Sequence, residues 1–119
     1  MIIPTGGTEQ NGPHMVLGKH NVRVKFAAGE IAKRLGNTLV TPVLGYVPEG
    51  EIDPPTSHMR MDGAITLPPE HLAKVVEFAA RGLRAHGFID IALLGDSGPN
   101  RPPMKAVRKL PRPDFAIGS

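Results

Sequence analysis

Cysteine is absent from these 119 residues, and so is tryptophan. The first absence excludes disulfides, thiolate zinc sites and a cysteine nucleophile. The second, with only four Phe and one Tyr, leaves the core to be built from Val, Leu, Ile, Ala and Met. No apolar run approaches the roughly 18–20 residues that span a bilayer. Nor does the N-terminus show a charged segment leading into an apolar stretch and a cleavage site. These absences predict a cytoplasmic protein with no membrane partner. Gly and Pro are plentiful instead, 14 and 13 residues, so turns and shaped loops should occupy much of the chain.

The net charge of +3 invites a nucleic-acid partner, but the charge is unevenly placed. Arg101, Lys105, Arg108, Lys109 and Arg112 face only Asp114, which leaves residues 1–100 carrying −1. Five charges without interleaved aromatics make a poor nucleic-acid surface. The expected organisation is therefore one α/β domain over residues 1–100 and a solvated, basic, Pro-rich tail over 101–119.

Met1 to Pro4 is a short apolar run that stops at Thr5-Gly6-Gly7-Thr8, a buried strand entering a glycine turn. Asn21 to Leu35 has helical spacing, with Val24, Ala27, Ala28, Ile31 and Leu35 on one face. Thr38 to Leu44 is β-branched and apolar, and Pro42 marks its end. Gly45 to Met61 has neither period and reads as a long loop, of the kind that often carries function. Ala64 to Leu67 has room for a short strand. Pro68-Pro69-Glu70 opens a second helix with a stripe of Leu72, Val75, Val76, Ala79 and Leu83. Phe88 to Leu94 is a third strand, running into Gly95-Asp96-Ser97-Gly98.

Strand, helix, strand, helix, strand predicts a parallel sheet with helices on both faces, an αβα layering. Sites in such sheets form at the carboxyl ends of the strands. Glu9, Asn11, His14 and His20 follow the first strand, and Asp96 follows the third. Two carboxylates and two imidazoles on one rim suit a divalent metal, zinc or manganese. The same residues could instead cap turns and balance helix dipoles. A phosphate nest at Thr5 to Thr8 is disfavoured, because the Gly-Lys-Ser/Thr ending of a P-loop is missing.

Ile2 to His20 (IIPTGGTEQNGPHMVLGKH) resembles the signature stretch of the creatininase family, in which an apolar strand and a Pro-x-Gly-Ser turn precede Glu-Gln-His-Gly-Pro-His-Leu-Pro and a later Asp. Ser57-His58-Met59-Arg60 and Gly63 to Leu67 resemble the family's Glu-His segment and its Gly-Thr-Ile-Ser-Leu strand. Leu94 to Gly98, with Asn100, stands where the family has Asn-Gly-His-Gly-Gly-Asn. The resemblance implies a metal-dependent amidohydrolase acting on a C–N bond of a small amide or cyclic amide, through two ions and a bridging water.

Carried over by position, the resemblance keeps Glu9 as a ligand and puts His20 where the family has a shared Asp. It puts Asp96 where the family has His. A reciprocal exchange would leave Glu9, His20 and Asp96 as one mixed ligand set for a single ion. The second ion's positions fall on Asn11 and Gly98, which are degraded as ligands. His14 and His58 are the further catalytic candidates, His14 as a substrate-orienting group and His58 as a loop residue brought over the site.

The resemblance also implies a chain about twice as long, so the sequence reads as a truncated or remnant member. A short parallel sheet with an open edge, together with the family's habit of oligomerising, predicts a homo-oligomer. A non-catalytic metal-binding or self-assembling module is the alternative to an enzyme.

Overall fold

The computed structural model describes residues 1–12, 15–95 and 115–118, the last four as backbone. The fold is α/β. Strands β1 (Ile2–Thr5), β2 (Ile91–Gly95) and β3 (Phe115–Gly118) form one parallel sheet in the order β1-β2-β3. Helices α1 (Lys19–Leu35) and α2 (Pro69–Ala85) pack against it. All four residues of β1 are buried, which is why this strand reads as an unbroken apolar run.

Ile3, Ile91 and Leu93 join Val47 and the α2 residues Leu72, Val76 and Ala80 in one core cluster. Ile2, Val24 and Ala28 are buried outside that cluster. Because successive strand side chains alternate faces, α1 covers the side of the sheet opposite α2. The second helix also buries Glu77, whose carboxylate meets Lys74 at 3.2 Å and Arg81 at 2.9 Å.

The stretch expected as a second strand runs beside β1 on its free side, but only as two parallel bridges, Ile2 to Val40 and Thr5 to Leu44. Four steps on one side against three on the other place an extra residue between the bridges. The prolines explain it. Ile2 and Gly6 send their N–H groups to Leu39 and Leu44, whereas Pro4, midway between them, has none to send. Pro42 lies opposite that gap and also lacks an N–H, so the interruption leaves no proline donor unpaired.

Three further expectations are corrected. First, α1 starts at Lys19, two residues early, and its buried line is His20, Val24 and Ala28, while Ile31 and Leu35 are exposed. A 17-residue helix is about 25 Å long, and the four-residue strand beneath it about 13 Å, so the last turns overrun the sheet. Second, β2 begins at Ile91 rather than Phe88, and Val75 of α2 is exposed. Third, Phe115–Gly118 form β3 within the segment expected as a solvated tail, so the sheet continues past residue 100. The basic stretch drew attention away from a short run that contains Phe and Ile, both good strand formers.

Among the described residues, no helix is long and apolar enough to cross a membrane.

Candidate metal centre

β1 and β2 are direct neighbours, with Thr5 opposite Gly95, so the loops leaving them start side by side. The loop after β1 carries Glu9 and is pinned on several sides. Gly7 donates its N–H to Asn21 Oδ1 on α1 at 2.9 Å. Thr8 Oγ1 donates to the Gly45 carbonyl at 2.9 Å, and Ile65 donates its N–H to the Thr8 carbonyl at 3.0 Å. Glu9 donates its own N–H to the Leu17 carbonyl at 3.2 Å. Replacing Asn21 by Ala removes the tie to α1 and should cost about 1 kcal/mol, read as a lower denaturant midpoint with an unchanged slope.

Glu9 is 4% exposed and lies between two imidazoles. His20 Nε2 stands 2.6 Å from Oε1, and His58 Nε2 stands 3.6 Å from Oε2. Arg23 Nη2 lies 3.3 Å from His20 Nδ1. A guanidinium only donates, so Nδ1 accepts and the proton sits on Nε2, which donates to Glu9.

Sequence reasoning missed Glu49. It is 1% exposed, and its carboxylate lies against that of Glu9 with no donor to either oxygen among the described residues. Its backbone is held firmly: its N–H donates to Thr66 Oγ1 at 2.9 Å, and that hydroxyl donates to the Gly50 carbonyl at 3.0 Å. Gly7 makes room for it, since a Cβ there would come within 2.6 Å of Glu49 Oε1. Glu9, Glu49 and His58 form a group whose ligand atoms all lie within 4.8 Å of one another. The signal in the sequence was weak. Glu49 sits between Pro48 and Gly50 in a stretch with no period, where an acid reads as solvated.

The two carboxylates polarise each other. Burial pushes the Glu49 carboxyl up to about 9, and the neighbouring Glu9 adds to the rise through a shared hydrogen bond and its charge. Burial also raises Glu9, but hydrogen bonds from Glu49 and His20, with the charges of His20 and His58, outweigh it. Glu9 is therefore held below the usual carboxylate range. Without a cation, a proton must bridge the pair. A buried carboxylate lacking donors beside a second carboxylate and an imidazole is what a divalent ion requires, so the donor set fits a metal.

The structure thus brings Glu9, His20 and His58 together and adds Glu49. Asn11 is half-buried and turns away, its amide donating to the Glu9 carbonyl at 3.3 Å. His14, Asp96 and Gly98 lie outside the described residues. His58 is carried on a 3-10 turn, Ser57–Arg60, whose base is closed by Met59 N–H to the Thr56 carbonyl at 3.0 Å. Two clefts among the described residues are not lined by Glu9, Glu49, His20 or His58. One of about 480 Å³ is lined by Gly50 to Asp53 and Thr66 to Glu70, and another of about 590 Å³ lies between α1 and residues 40–43.

Clustered carboxylates and imidazoles at the carboxyl end of a parallel sheet define a candidate site for a divalent ion. Residues 1–116 match the creatininase family, described as creatinine amidohydrolase, and the chain belongs to that family of metal-dependent amidohydrolases. A crystal structure of creatinine amidohydrolase (creatininase) superposes with a TM-score of 0.73 at 24% identity, over 99% of this chain and 49% of that one. A manganese creatininase gives 0.77 at 22%, over 99% and 49%. A mutant creatininase of Zn–Zn type gives 0.72 at 24%, again over 99% and 49%. The chain spans about half the length of these structures, and they support the fold. Creatininase structures carry manganese or zinc, and this chain holds a Glu-Glu-His group able to bind such an ion. No curated protein matches the chain.

Proposed function

We propose that this chain hydrolyses a carbon–nitrogen bond in a small linear or cyclic amide, with a zinc or manganese ion at Glu9. The observation that carries the reading is Glu9 itself, buried at the end of β1 with an imidazole facing each carboxylate oxygen. Family membership supports it, and so does a mutant creatininase complexed with creatine, which shows the substrate class of a structural relative. A divalent ion in such a site polarises a carbonyl and lowers the pKa of water.

The chain's own residues do the rest. His20 fixes Glu9 through Oε1, and Asn21 and Thr8 fix the loop that carries it. His58 has 38% of its side chain exposed and faces both the carboxylates and solvent, where an amide would enter. Asp96, expected from the sequence as a ligand beside Glu9 and His20, and His14, expected to orient substrate, are the other sequence candidates.

Protein purified without chelator should contain zinc or manganese. It should release amine or ammonia from at least one of a panel of cyclic and linear amides, and lose that activity on chelation. Metal-free protein that hydrolyses the same amides at the same rate would overturn the reading.

Self-association belongs to this proposal as well. Phe26 is 70% exposed and Phe78 63%, a large apolar outlay for a chain with four Phe. Light scattering after size exclusion should show a dimer or larger species at micromolar concentration. A monomer that persists across that range would count against assembly.

A further inference from the structure

We infer that the loop between residues 45 and 61 supplies an ion position of its own. Glu49 and His58 are its ligands, Glu9 lends Oε2, and His20 acts as a positioning residue rather than a ligand. The inference rests on the metal part of the reading above and not on the hydrolytic part.

Distance separates the two imidazoles. Ligand atoms about 2.0–2.1 Å from a tetrahedral zinc stand roughly 3.3 Å from each other. His58 Nε2 and Glu9 Oε2 are 3.6 Å apart, beyond a good hydrogen bond and close to that spacing. His20 Nε2 and Glu9 Oε1, at 2.6 Å, are well inside the spacing that two ligands of a tetrahedral zinc keep. They are hydrogen-bonded directly, and the contact from Arg23 to Nδ1 assigns the proton to Nε2. His20 therefore aims Glu9 as an outer partner aims a ligand.

Glu49 is the independent sign of a cation site. The residue is 1% exposed, and its carboxylate has no donor among the described residues and lies against Glu9. Two carboxylates and one imidazole neutralise a divalent ion and suit zinc or manganese. Three protein ligands leave a coordination position open beside the half-exposed His58. The backbone is built to hold this set: Glu51 donates its N–H to Thr56 Oγ1 at 2.7 Å, and Thr56 returns its N–H to the Glu51 carbonyl at 3.1 Å. That clasp closes the loop between the two ligands.

The test is titration of the full chain with zinc and with cobalt alone, followed by elemental analysis. The set comprises the parent, Glu49→Gln, His58→Ala and His20→Gln. Glu49→Gln is isosteric, and its amide N–H can donate to Glu9 where the protonated carboxyl did, so it should fold, as circular dichroism would show. Expected are losses in zinc affinity of a hundredfold or more for Glu49→Gln and His58→Ala, with the visible cobalt absorption abolished. His20→Gln still donates an N–H to Glu9, so it should keep the stoichiometry and the cobalt spectrum and lose about tenfold in affinity.

Parent-like binding in Glu49→Gln and His58→Ala, or loss of the cobalt spectrum in His20→Gln, would overturn the inference and leave the proposed hydrolysis standing. Binding that depends on Glu49 and His58 in a protein that cleaves no amide would leave the inference standing and remove the hydrolysis. A parent that binds neither zinc nor cobalt removes both.

Discussion

Glu9→Gln loses the bound ion, and any amide hydrolysis falls to background with it. Glu9 contacts His20, His58 and Glu49, so its replacement removes the carboxylate at the centre of the cluster. The loss in affinity should exceed the 10–100-fold typical of outer-shell changes. The cleanest readout is linkage. Zinc at about a hundred times its dissociation constant stabilises the parent by about 2.7 kcal/mol, which in a chain of this length raises Tm by about 10 °C. Glu9→Gln should show no rise. The amide oxygen can still accept from His20, so the variant should fold, and scanning calorimetry with and without zinc checks both statements.

The metal-free protein should lose stability steadily between pH 5 and pH 9. Glu49 is the cause, with its carboxyl pushed up to about 9 from a reference of 4.5. Across that window the folded chain holds a proton that the unfolded chain has released. Stability therefore falls as pH rises, by at most about 1.4 kcal/mol per unit. It is fully present below pH 4.5 and gone above 9. Glu9 acts in the opposite sense at the acid end, since its lowered carboxyl contributes stability above 4.5 that is lost as pH falls through its folded value. The metal-free optimum should thus lie near pH 5. Glu49→Gln removes the alkaline slope, which urea melts at several pH values would detect. Zinc uptake near neutrality should release about one proton, seen as a heat that varies with buffer ionisation enthalpy.

Elements with a strong local period were legible in the sequence, and so was their parallel order. The glycine turn after Pro4 led to Glu9, and strand-end logic pointed to the rim where Glu9 meets His20 and His58. What was not legible depends on contacts between distant segments. Ile31 and Leu35 fit the helical stripe but find no strand beneath them, because helix length and strand length are set independently. The pairing of Pro4 with the irregularity at Pro42 is invisible until two segments forty residues apart are set side by side. Glu49 was hidden for the same reason. Its burial is decided by Gly7 and Thr66, and nothing within its own loop shows that it faces a second carboxylate. The ligand roles were read by position alone, and only distance distinguishes the hydrogen-bonding imidazole of His20 from the more widely spaced one of His58.

Gly7 has a bearing on how this site can change over generations. A Cβ at residue 7 would press on Glu49 Oε1 at 2.6 Å and on Val47 Cγ2 at 3.3 Å. A side chain at residue 7 thus pushes the Glu49 carboxylate from its place beside Glu9, whereas residue 49 can shorten while Gly7 stays. The two positions have a permitted order of substitution, and their effects should combine unequally according to which comes first. A lineage that abandons the ion can lose Glu49 in one step and drift at residue 7 afterwards. A lineage that has filled residue 7 must reopen it before Glu49 can return. The glycine therefore works as a ratchet: while it persists the carboxylate can be regained in place, and once it is replaced a carboxylate at residue 49 is displaced from Glu9.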